Sequence, residues 1–388
     1  MALATVATLV VAGAASLFMA WSIGAGSSGS TPFAPAVGAN AISVMRAGLV
    51  VGVLGLLGAV LQGANVTEAV GTELIGGVTL TATAAIVALV VAAVLVAAGV
   101  FAGYPIATAF TVTGAVVGVG LAMGGDPAWP KYAEILTLWV STPFVGGGAA
   151  YLVARALTGT RLPERALTAV LAGVVGAILA NVGFALLGPA GEQASVAVVV
   201  AERAGVPSTV VTIAVAAVVA GAEYADVTRD RAGAQRRFLL SMGGLVAFSA
   251  GGSQVGLAIG PLVPIFGDVG VSLLALLVGG GVGLLAGSWT GAPRMIKALA
   301  QDYASMGPRR SIAALIPSFA IAQTAVAFGI PVSFNEIIVS AIVGAGYAAG
   351  DAGVSRTKMG YTVLAWIGSL VGALVLGFGV FSGVTRVI

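Results

Sequence analysis

The sequence contains no cysteine and no histidine, and charged residues make up only 8% of its 388 positions. Without cysteine there is no disulfide and no thiol nucleophile. Without histidine, haem ligation by that residue and most zinc chemistry are excluded. We therefore expect no catalytic residue, no metal site and no cofactor. The net charge of +3 does not indicate a nucleic-acid partner.

The scarcity of charge also indicates the environment that surrounds the folded chain. A soluble domain carries about 25% charged residues, so this chain cannot cover a water-facing surface. Hydrophobic residues make up 59% of it, and its mean hydropathy is +1.09. We predict an all-α integral membrane protein, multi-pass in the cell membrane, built from helices of about 20 residues. About twelve helical segments are predicted, near residues 2–22, 43–63, 79–100, 111–124, 134–158, 166–188, 206–222, 236–250, 268–289, 311–328, 336–350 and 358–384.

The basic residues predict the orientation and the division of the chain. The polar segment 223–237 carries four arginines, and the loop from Arg155 to Arg165 carries three. The positive-inside rule places both in the cytoplasm. We predict a first repeat with its following helices over residues 1–222, a cytoplasmic basic linker over 223–237, and a second repeat over 238–388.

The two halves of the sequence resemble each other. GYPIAT begins at Gly103, and GIPVSF begins 226 residues later at Gly329. Trp139 in WVSTPFVGG and Trp366 in WIGSLVGAL lie 227 residues apart. The offset of 226 also aligns GSSGSTPFAP with GSQVGLAIGP, pairing Gly26 with Gly252, Ser27 with Ser253, and Pro35 with Pro261.

Chance matching between segments rich in glycine and alanine is the alternative explanation, but the agreement of prolines and tryptophans in register favours a true repeat. The first copy is predicted to start outside and the second after a cytoplasmic loop, so the repeats are inverted. Inverted repeats are typical of secondary transporters, in which helices interrupted by glycine or proline at matching places lie near the substrate site. We therefore predict broken or re-entrant helices in both pairs of stretches.

The interrupted stretches are candidates for binding an anion. Irregular backbone in a membrane is tolerated where it lines a cavity or is buried, and a helix N-terminus there favours negative charge. Glycine lets the backbone approach a ligand, and hydroxyl and amide groups supply donors. Helix packing by small residues is the alternative. The candidate anion-binding residues are Gly26, Ser27, Ser28, Ser30, Gly252, Ser253 and Gln254, with Thr108, Ser333 and Asn335 from the other pair of stretches.

Glu336 is the ionisable residue within these stretches. Such a group at membrane depth is a functional hypothesis by default, because it can carry a proton or hold a cation. A surface position or a structural ion pair is the alternative. The polar segments around Glu68 and Lys297 predict amphipathic interfacial helices, and Asn65 and Thr67 are candidates to line a vestibule.

Three motifs carry a resemblance to a known family. AIGPL at residues 258–262, GIPVS at 329–333 and WVSTPFVGG at 139–147 resemble motifs of the inorganic phosphate transporter family. The resemblance extends from about residue 20 to the C-terminus. It implies a cation-coupled permease for an inorganic anion, with an inverted-repeat fold.

The chain also departs from that family. Where the family has Asn-Asp in each copy of its GANDVANA-type motif, this chain has Ser27-Ser28 and Ser253-Gln254. The family's aspartates are implicated in phosphate and sodium binding. Phosphate keeps a proton that it can donate to a carboxylate, whereas sulfate has none and needs only donors around it. The missing aspartates therefore favour sulfate, and the chain is similar to the sulfate-permease branch of the family.

We predict a sulfate permease that works by alternating access in the lipid bilayer. Coupling is expected to H⁺ rather than Na⁺, with Glu336 as the coupling residue, and a homodimer is compatible with a transporter of this size. The alternatives are an inorganic phosphate permease with a rebuilt site, a membrane scaffold that transports nothing, and a passive anion channel. Thiosulfate, selenate and molybdate share the shape and charge of sulfate.

Overall fold

The computed structural model describes residues 3–159, 163–189, 192–348 and 354–387, and an arrangement of seven helices occurs in it twice. The first half contains α1 (Leu3–Gly26), α2 (Ala34–Gly38), α3 (Val44–Gln62), α4 (Ala64–Thr72), α5 (Ala82–Ala102), α6 (Thr108–Ala122) and α7 (Trp129–Thr158). The connecting helices are α8 (Glu164–Asn181), α9 (Val196–Ala204) and α10 (Ser208–Arg229). The second half contains α11 (Arg231–Ile259), α12 (Val263–Gly267), α13 (Leu273–Thr290), α14 (Ala292–Gln301), α15 (Pro308–Ala327), α16 (Phe334–Tyr347) and α17 (Arg356–Val387).

Helix length separates membrane spans from half-helices. Within the described ranges, ten helices are long and apolar enough to cross a bilayer. The apolar helices α6 and α16 have 15 and 14 residues. At 1.5 Å per residue each reaches only about 20 Å into an apolar layer of about 30 Å. The ten spans and the two half-helices correspond to the twelve predicted segments, and the all-α membrane fold is confirmed.

Equivalent helices of the two halves run in opposite directions. Ser16 Oγ of α1 donates a hydrogen bond to the carbonyl oxygen of Ala258 in α11 (2.9 Å). Further along α1, just past its end, Ser27 Oγ donates to Gln254 Oε1 (3.1 Å). Residue numbers therefore rise along α1 while those of its partners fall along α11. This antiparallel pairing is the geometry that an inverted repeat requires.

Each half-helix is held by the other half through a tryptophan. Trp139 Nε1 in α7 donates to the carbonyl oxygen of Pro331, just before α16 (2.8 Å). Trp366 Nε1 in α17 donates to the carbonyl oxygen of Pro105, just before α6 (2.8 Å). The two bonds are related by the offsets read from the sequence. A proline has no N–H group, and these bonds use its remaining backbone acceptor.

The glycine-rich stretch around Gly252 does not interrupt its helix. It was expected to be broken, but α11 continues to Ile259, and a 3₁₀ turn follows over Gly260–Leu262. Its glycines allow neighbouring helices to approach closely: a methyl group at Gly251 would overlap the backbone of Gly55, and one at Gly252 would lie 2.8 Å from Gln62 Cβ. Glycine within a helix costs about 1 kcal/mol relative to alanine, and the close contacts of α11 with its neighbours offset that cost.

The polar segment predicted as a linker over residues 223–237 forms a tight corner between two helices. The helix α10 continues to Arg229 and α11 begins at Arg231. Asp230 lies between them, and its carboxylate accepts a hydrogen bond from the backbone N–H of Gly233 (3.0 Å). An aspartate at this N-cap position satisfies an orphan donor and explains how two helices meet with one residue between them.

Basic residues gather at one end of the molecule, which we call the arginine end. Glu164 at the start of α8 forms an ion pair with Arg231 and accepts a hydrogen bond from Gln235, both near the start of α11. Arg309 at the start of α15 donates to both oxygens of the same carboxylate, at 3.0 and 2.7 Å. The positive-inside rule predicts that this end faces the cytoplasm. Arg161, part of the predicted basic loop, lies outside the described residues.

Short elements complete the connecting segments. The predicted helices around Glu68 and Lys297 are present as α4 and α14. Two antiparallel strand pairs of two residues each are also present: β1 (Ile75–Gly76) with β2 (Asp126–Pro127), and β3 (Gly183–Phe184) with β4 (Ala194–Ser195). The strand β3 explains why α8 ends at Asn181, although the predicted segment continues to residue 188.

Candidate anion-binding site

Three helix ends meet α11 at Gln254. This side chain is fully buried, and its Nε2 donates to the carbonyl oxygen of Val332 before α16 (2.5 Å). Its Oε1 accepts from Thr108 Oγ1 at the start of α6 (2.7 Å) and from Ser27 Oγ after the end of α1 (3.1 Å). One amide therefore joins both half-helices to the end of α1. We call Ser27, Thr108 and Gln254 the amide cluster.

Asn335 makes a second set of bonds between the same elements. Its Nδ2 donates to the carbonyl oxygens of Gly26 (2.9 Å) and Ile106 (2.6 Å). The first of these residues ends α1, and the second lies just before α6. The amide cluster and Asn335 together bring residues from both pairs of predicted stretches into one place.

Several buried oxygens near these bonds have no hydrogen-bond partner within the described part of the chain. Buried polar atoms in proteins are nearly always hydrogen-bonded to protein or water. A group of unpaired oxygens on neighbouring residues therefore indicates a polar interior suited to water or a solute. The atoms are Ser253 Oγ, Ser333 Oγ, Asn335 Oδ1 and Glu336 Oε2.

The half-helices α6 and α16 present their N-terminal ends to this interior. Ser333 occupies the N-cap of α16 and makes no side-chain cap bond, and Ala107 occupies the N-cap of α6. The first backbone N–H groups of a helix have no partner within it, and the aligned peptide dipoles favour an anion at that end. The donors needed for an oxyanion are therefore concentrated at α6 and α16.

In the serine-rich stretch after α1, hydroxyl groups bond to the local backbone. Ser30 Oγ and Thr31 Oγ1 both donate to the carbonyl oxygen of Ser27, at 3.2 and 3.0 Å. Ser28 is buried in the same turn, with its N–H bonded to the carbonyl oxygen of Ile23 (3.1 Å). These residues lie at the C-terminal end of α1, which carries the negative end of the helix dipole. Of this stretch, the structure brings Ser27 into the amide cluster.

The two predicted glycines lie against protein. A methyl group at Gly26 would approach Val100 Cγ2 to 2.6 Å, and one at Gly252 would meet Gln62. Their small size is required for helix packing. Gly26 also supplies the carbonyl oxygen that accepts from Asn335.

Glu336 is buried in the first turn of α16 and forms none of the ion pairs found between described residues. The helices packed against α16 are α7 and α15. Of the cationic residues on these two helices, Lys131 of α7 pairs with Glu73 and Arg309 of α15 pairs with Glu164. The others are Arg155 in the last turn of α7, which lies over the Tyr151 ring, and Arg310 in the first turn of α15. The equivalent of Glu336 in the first half is Phe110, whose ring stacks on that of Trp139 at 3.9 Å between centroids.

A cavity of about 1060 Å³ lies between α8, α9 and the end of α15 that is remote from Arg309. Asn65 lines it, as predicted for a vestibule. Thr67 is buried, and its Oγ1 donates to the carbonyl oxygen of Gly63 (2.5 Å). The prediction missed Gln62 and Gln323, which also line the cavity. The available signal was a lone glutamine in each of two apolar helices, since polar side chains in membrane helices bond across to other helices.

The chain is similar to known transport proteins over most of its length. Residues 23–377 match the phosphate transporter family. A Pyrococcus furiosus protein named "Putative phosphate permease" is 26% identical over 380 residues, covering 90% of this chain and 89% of the relative. "Inorganic phosphate transporter 2-1, chloroplastic" of Arabidopsis thaliana is 24% identical over 398 residues, covering 90% and 68%. A solved structure described as "The sodium-dependent phosphate transporter" has the same fold, with a TM-score of 0.82 at 22% identity over 98% of this chain and 100% of that chain.

Proposed function

Because the chain belongs to the phosphate transporter family, we propose that it is a permease for inorganic phosphate whose site lies beside the amide cluster. The observation that carries this proposal is the convergence of two half-helix N-termini on Gln254. Such ends supply backbone N–H groups and a favourable dipole for an anion. Ser333 and Asn335 add side-chain groups there. The relatives compared above are named for phosphate, which supports this substrate, and the predicted membership of a sulfate-permease branch has no support.

The carboxyl group of Glu336 favours phosphate over sulfate at this site. Sulfate is favoured by a site without carboxylates, but Glu336 directly follows Asn335 in α16, and its Oε2 has no hydrogen-bond partner among the described residues. Monohydrogen phosphate carries an O–H group that can donate to a carboxylate, and sulfate does not. A site that hydrogen-bonds a substrate O–H discriminates strongly against an analogue that lacks it. Sulfate is the second candidate, favoured by serine and glutamine at Ser27 and Gln254, where the resembled family keeps aspartates.

Competition in proteoliposomes separates the two substrates. We expect saturable uptake of labelled phosphate, with sulfate needing at least about a tenfold excess to compete, because losing a hydrogen bond worth about 1.4 kcal/mol lowers the affinity tenfold. Uptake of labelled sulfate that phosphate does not inhibit would instead establish the second candidate. A chain that is monodisperse by light scattering but shows neither uptake nor binding of either anion would support the scaffold alternative.

We further propose that Glu336 couples uptake to the proton gradient. A buried carboxyl group without an ionic partner can cross between the two access states more readily when it is protonated, because burying an unpaired charge is costly. With one proton per anion, a gradient of one pH unit supports about tenfold accumulation. Glu336→Gln is expected to abolish this accumulation while exchange of internal for external phosphate continues.

The matched control for this prediction is Glu202→Gln, since Glu202 is an exposed carboxylate at the cavity. It is expected to leave accumulation unchanged. The measurement is labelled phosphate uptake under imposed H⁺ or Na⁺ gradients. If proton-driven accumulation persists in Glu336→Gln, or only a Na⁺ gradient drives uptake, the proton role is wrong.

A further inference from the structure

The large cavity is lined by two glutamines that face each other from different halves of the chain. Gln62 ends α3 and Gln323 lies near the end of α15, and their exposed fractions are 0% and 8%. Each amide donates to the other, at 3.4 and 3.3 Å. We call Gln62 and Gln323 the glutamine pair. Because α15 begins at the arginine end, the cavity belongs to the opposite end of the molecule, predicted to face outwards.

Further bonds attach the glutamine pair to its surroundings. Gln323 Nε2 also donates to Ser249 Oγ of α11 (2.6 Å), and Gln62 Nε2 donates to the carbonyl oxygen of Gly183 in β3 (3.0 Å). The pair thus joins α3, α11, α15 and the segment that follows α8. All the donors and acceptors in these bonds are neutral.

Along α11, Ser253 lies between the residues that contact the glutamine pair and Gln254 of the amide cluster. Gly252 has no side chain, so Gln62 lies directly against α11. Ser253 is the next residue and stands one helical turn beyond Ser249, on the same side of α11. Its Oγ is fully buried and has no partner among the described residues. Gln254 of the amide cluster follows immediately.

We propose that the glutamine pair is the outer gate of the permeation path, separating the cavity from Ser253 and the amide cluster. Hydrogen bonds between neutral amide groups are suited to this role, because exchanging them for hydrogen bonds to water in the cavity costs about 0.5–1.5 kcal/mol each. The arginine end is closed differently, by Glu164 with two arginines and Gln235, and hydrogen bonds between charged groups are roughly twice as strong. The outer side therefore opens with the smaller local cost.

Crosslinking tests the gate directly, because the chain has no native cysteine. In proteoliposomes of Gln62→Cys/Gln323→Cys, a bifunctional methanethiosulfonate is expected to lower phosphate uptake at least tenfold, and dithiothreitol is expected to restore it. The control is Asn181→Cys/Thr212→Cys, since these side chains are hydrogen-bonded at 3.0 Å in the cavity wall between α8 and α10. The control should crosslink without loss of uptake. Unchanged uptake after crosslinking of the glutamine pair, verified by mass spectrometry, would overturn the proposal.

A second measurement needs no transport, so its result is independent of the proposed substrate. Ser253→Cys is a reporter behind the gate, and its reaction with a membrane-impermeant cationic methanethiosulfonate is followed from the cavity side. Adding Gln323→Leu, which removes the hydrogen bonds between the two side-chain amides, is expected to accelerate labelling at position 253 at least tenfold. Adding Thr212→Val, a change in the cavity wall, is expected to leave the rate unchanged. Equal labelling rates in the Gln323→Leu and Thr212→Val backgrounds would show that the glutamine pair is no barrier.

Discussion

Replacing Gln254 with leucine is expected to reduce phosphate uptake at least 100-fold while the chain still inserts into the membrane. Leucine keeps most of the volume but removes the donor to the Val332 carbonyl and the acceptor of Ser27 and Thr108, whose hydroxyls then have only each other, at 3.4 Å. Each buried polar group deprived of its hydrogen bond costs about 1–3 kcal/mol. The half-helices α6 and α16 would then lose the side chain that fixes their N-termini relative to each other.

Two further variants make the Gln254 result interpretable. Gln301→Leu changes an exposed glutamine at the end of α14 and should leave uptake and thermal stability unchanged. Gln254→Glu keeps size and the acceptor oxygen but replaces the amide donor with a carboxylate oxygen that cannot donate to the Val332 carbonyl. It should insert and still reduce uptake at least tenfold. Uptake within twofold of the parent chain in Gln254→Leu would show that the amide cluster is dispensable.

The second large effect is expected at Gly344, where α16 packs against α7. A methyl group there would overlap the carbonyl oxygen of Gly147 and lie 2.6 Å from its carbonyl carbon and 2.7 Å from its Cα. Since backbone atoms cannot move aside as a flexible side chain does, Gly344→Val would push the half-helix away from its support. Overpacking typically costs about 1–3 kcal/mol and occasionally more. We expect a Tm several degrees lower in detergent and no measurable uptake.

The neighbouring Gly148 provides a matched control on α7. A methyl group at Gly148 meets nothing within 4 Å, so Gly148→Val should retain both Tm and uptake. The comparison is made by the loss of monodisperse protein on size-exclusion chromatography after heating. Equal stability of the Gly344→Val and Gly148→Val variants would contradict the close approach of α7 and α16.

The membrane class, the helical segments and the register between the halves could be predicted because they depend on local composition and on rare residues. Trp139 and Trp366 align in the sequence because they make equivalent contacts. Each donates a hydrogen bond to the carbonyl oxygen of the proline before a half-helix. The short lengths of α6 and α16 likewise follow from the prolines before them and the polar segments after them. These features require no knowledge of which helices are neighbours.

The continuity of α11 could not be predicted in the same way. Glycines at Gly251 and Gly252 are compatible with a helix break or with close packing, and the choice depends on α3, which lies about 190 residues earlier in the chain. The glutamine pair is separated by 261 residues, and nothing in either local sequence identifies the other member. The local hydrogen bond of Ser30 could not be predicted either. A serine whose hydroxyl bonds to a nearby backbone carbonyl looks the same in the sequence as a serine that faces a ligand.

The two tryptophan bonds have a consequence for the synthesis of the protein. The tryptophan that bonds to the segment before α6 belongs to α17, so the first half-helix stays without Trp366 until the second half has been synthesised. By contrast, α16 is made when Trp139 is already in place. The first half therefore lacks this contact in the membrane during synthesis. A chain truncated before α17 would present α6 to the quality-control machinery without its tryptophan contact.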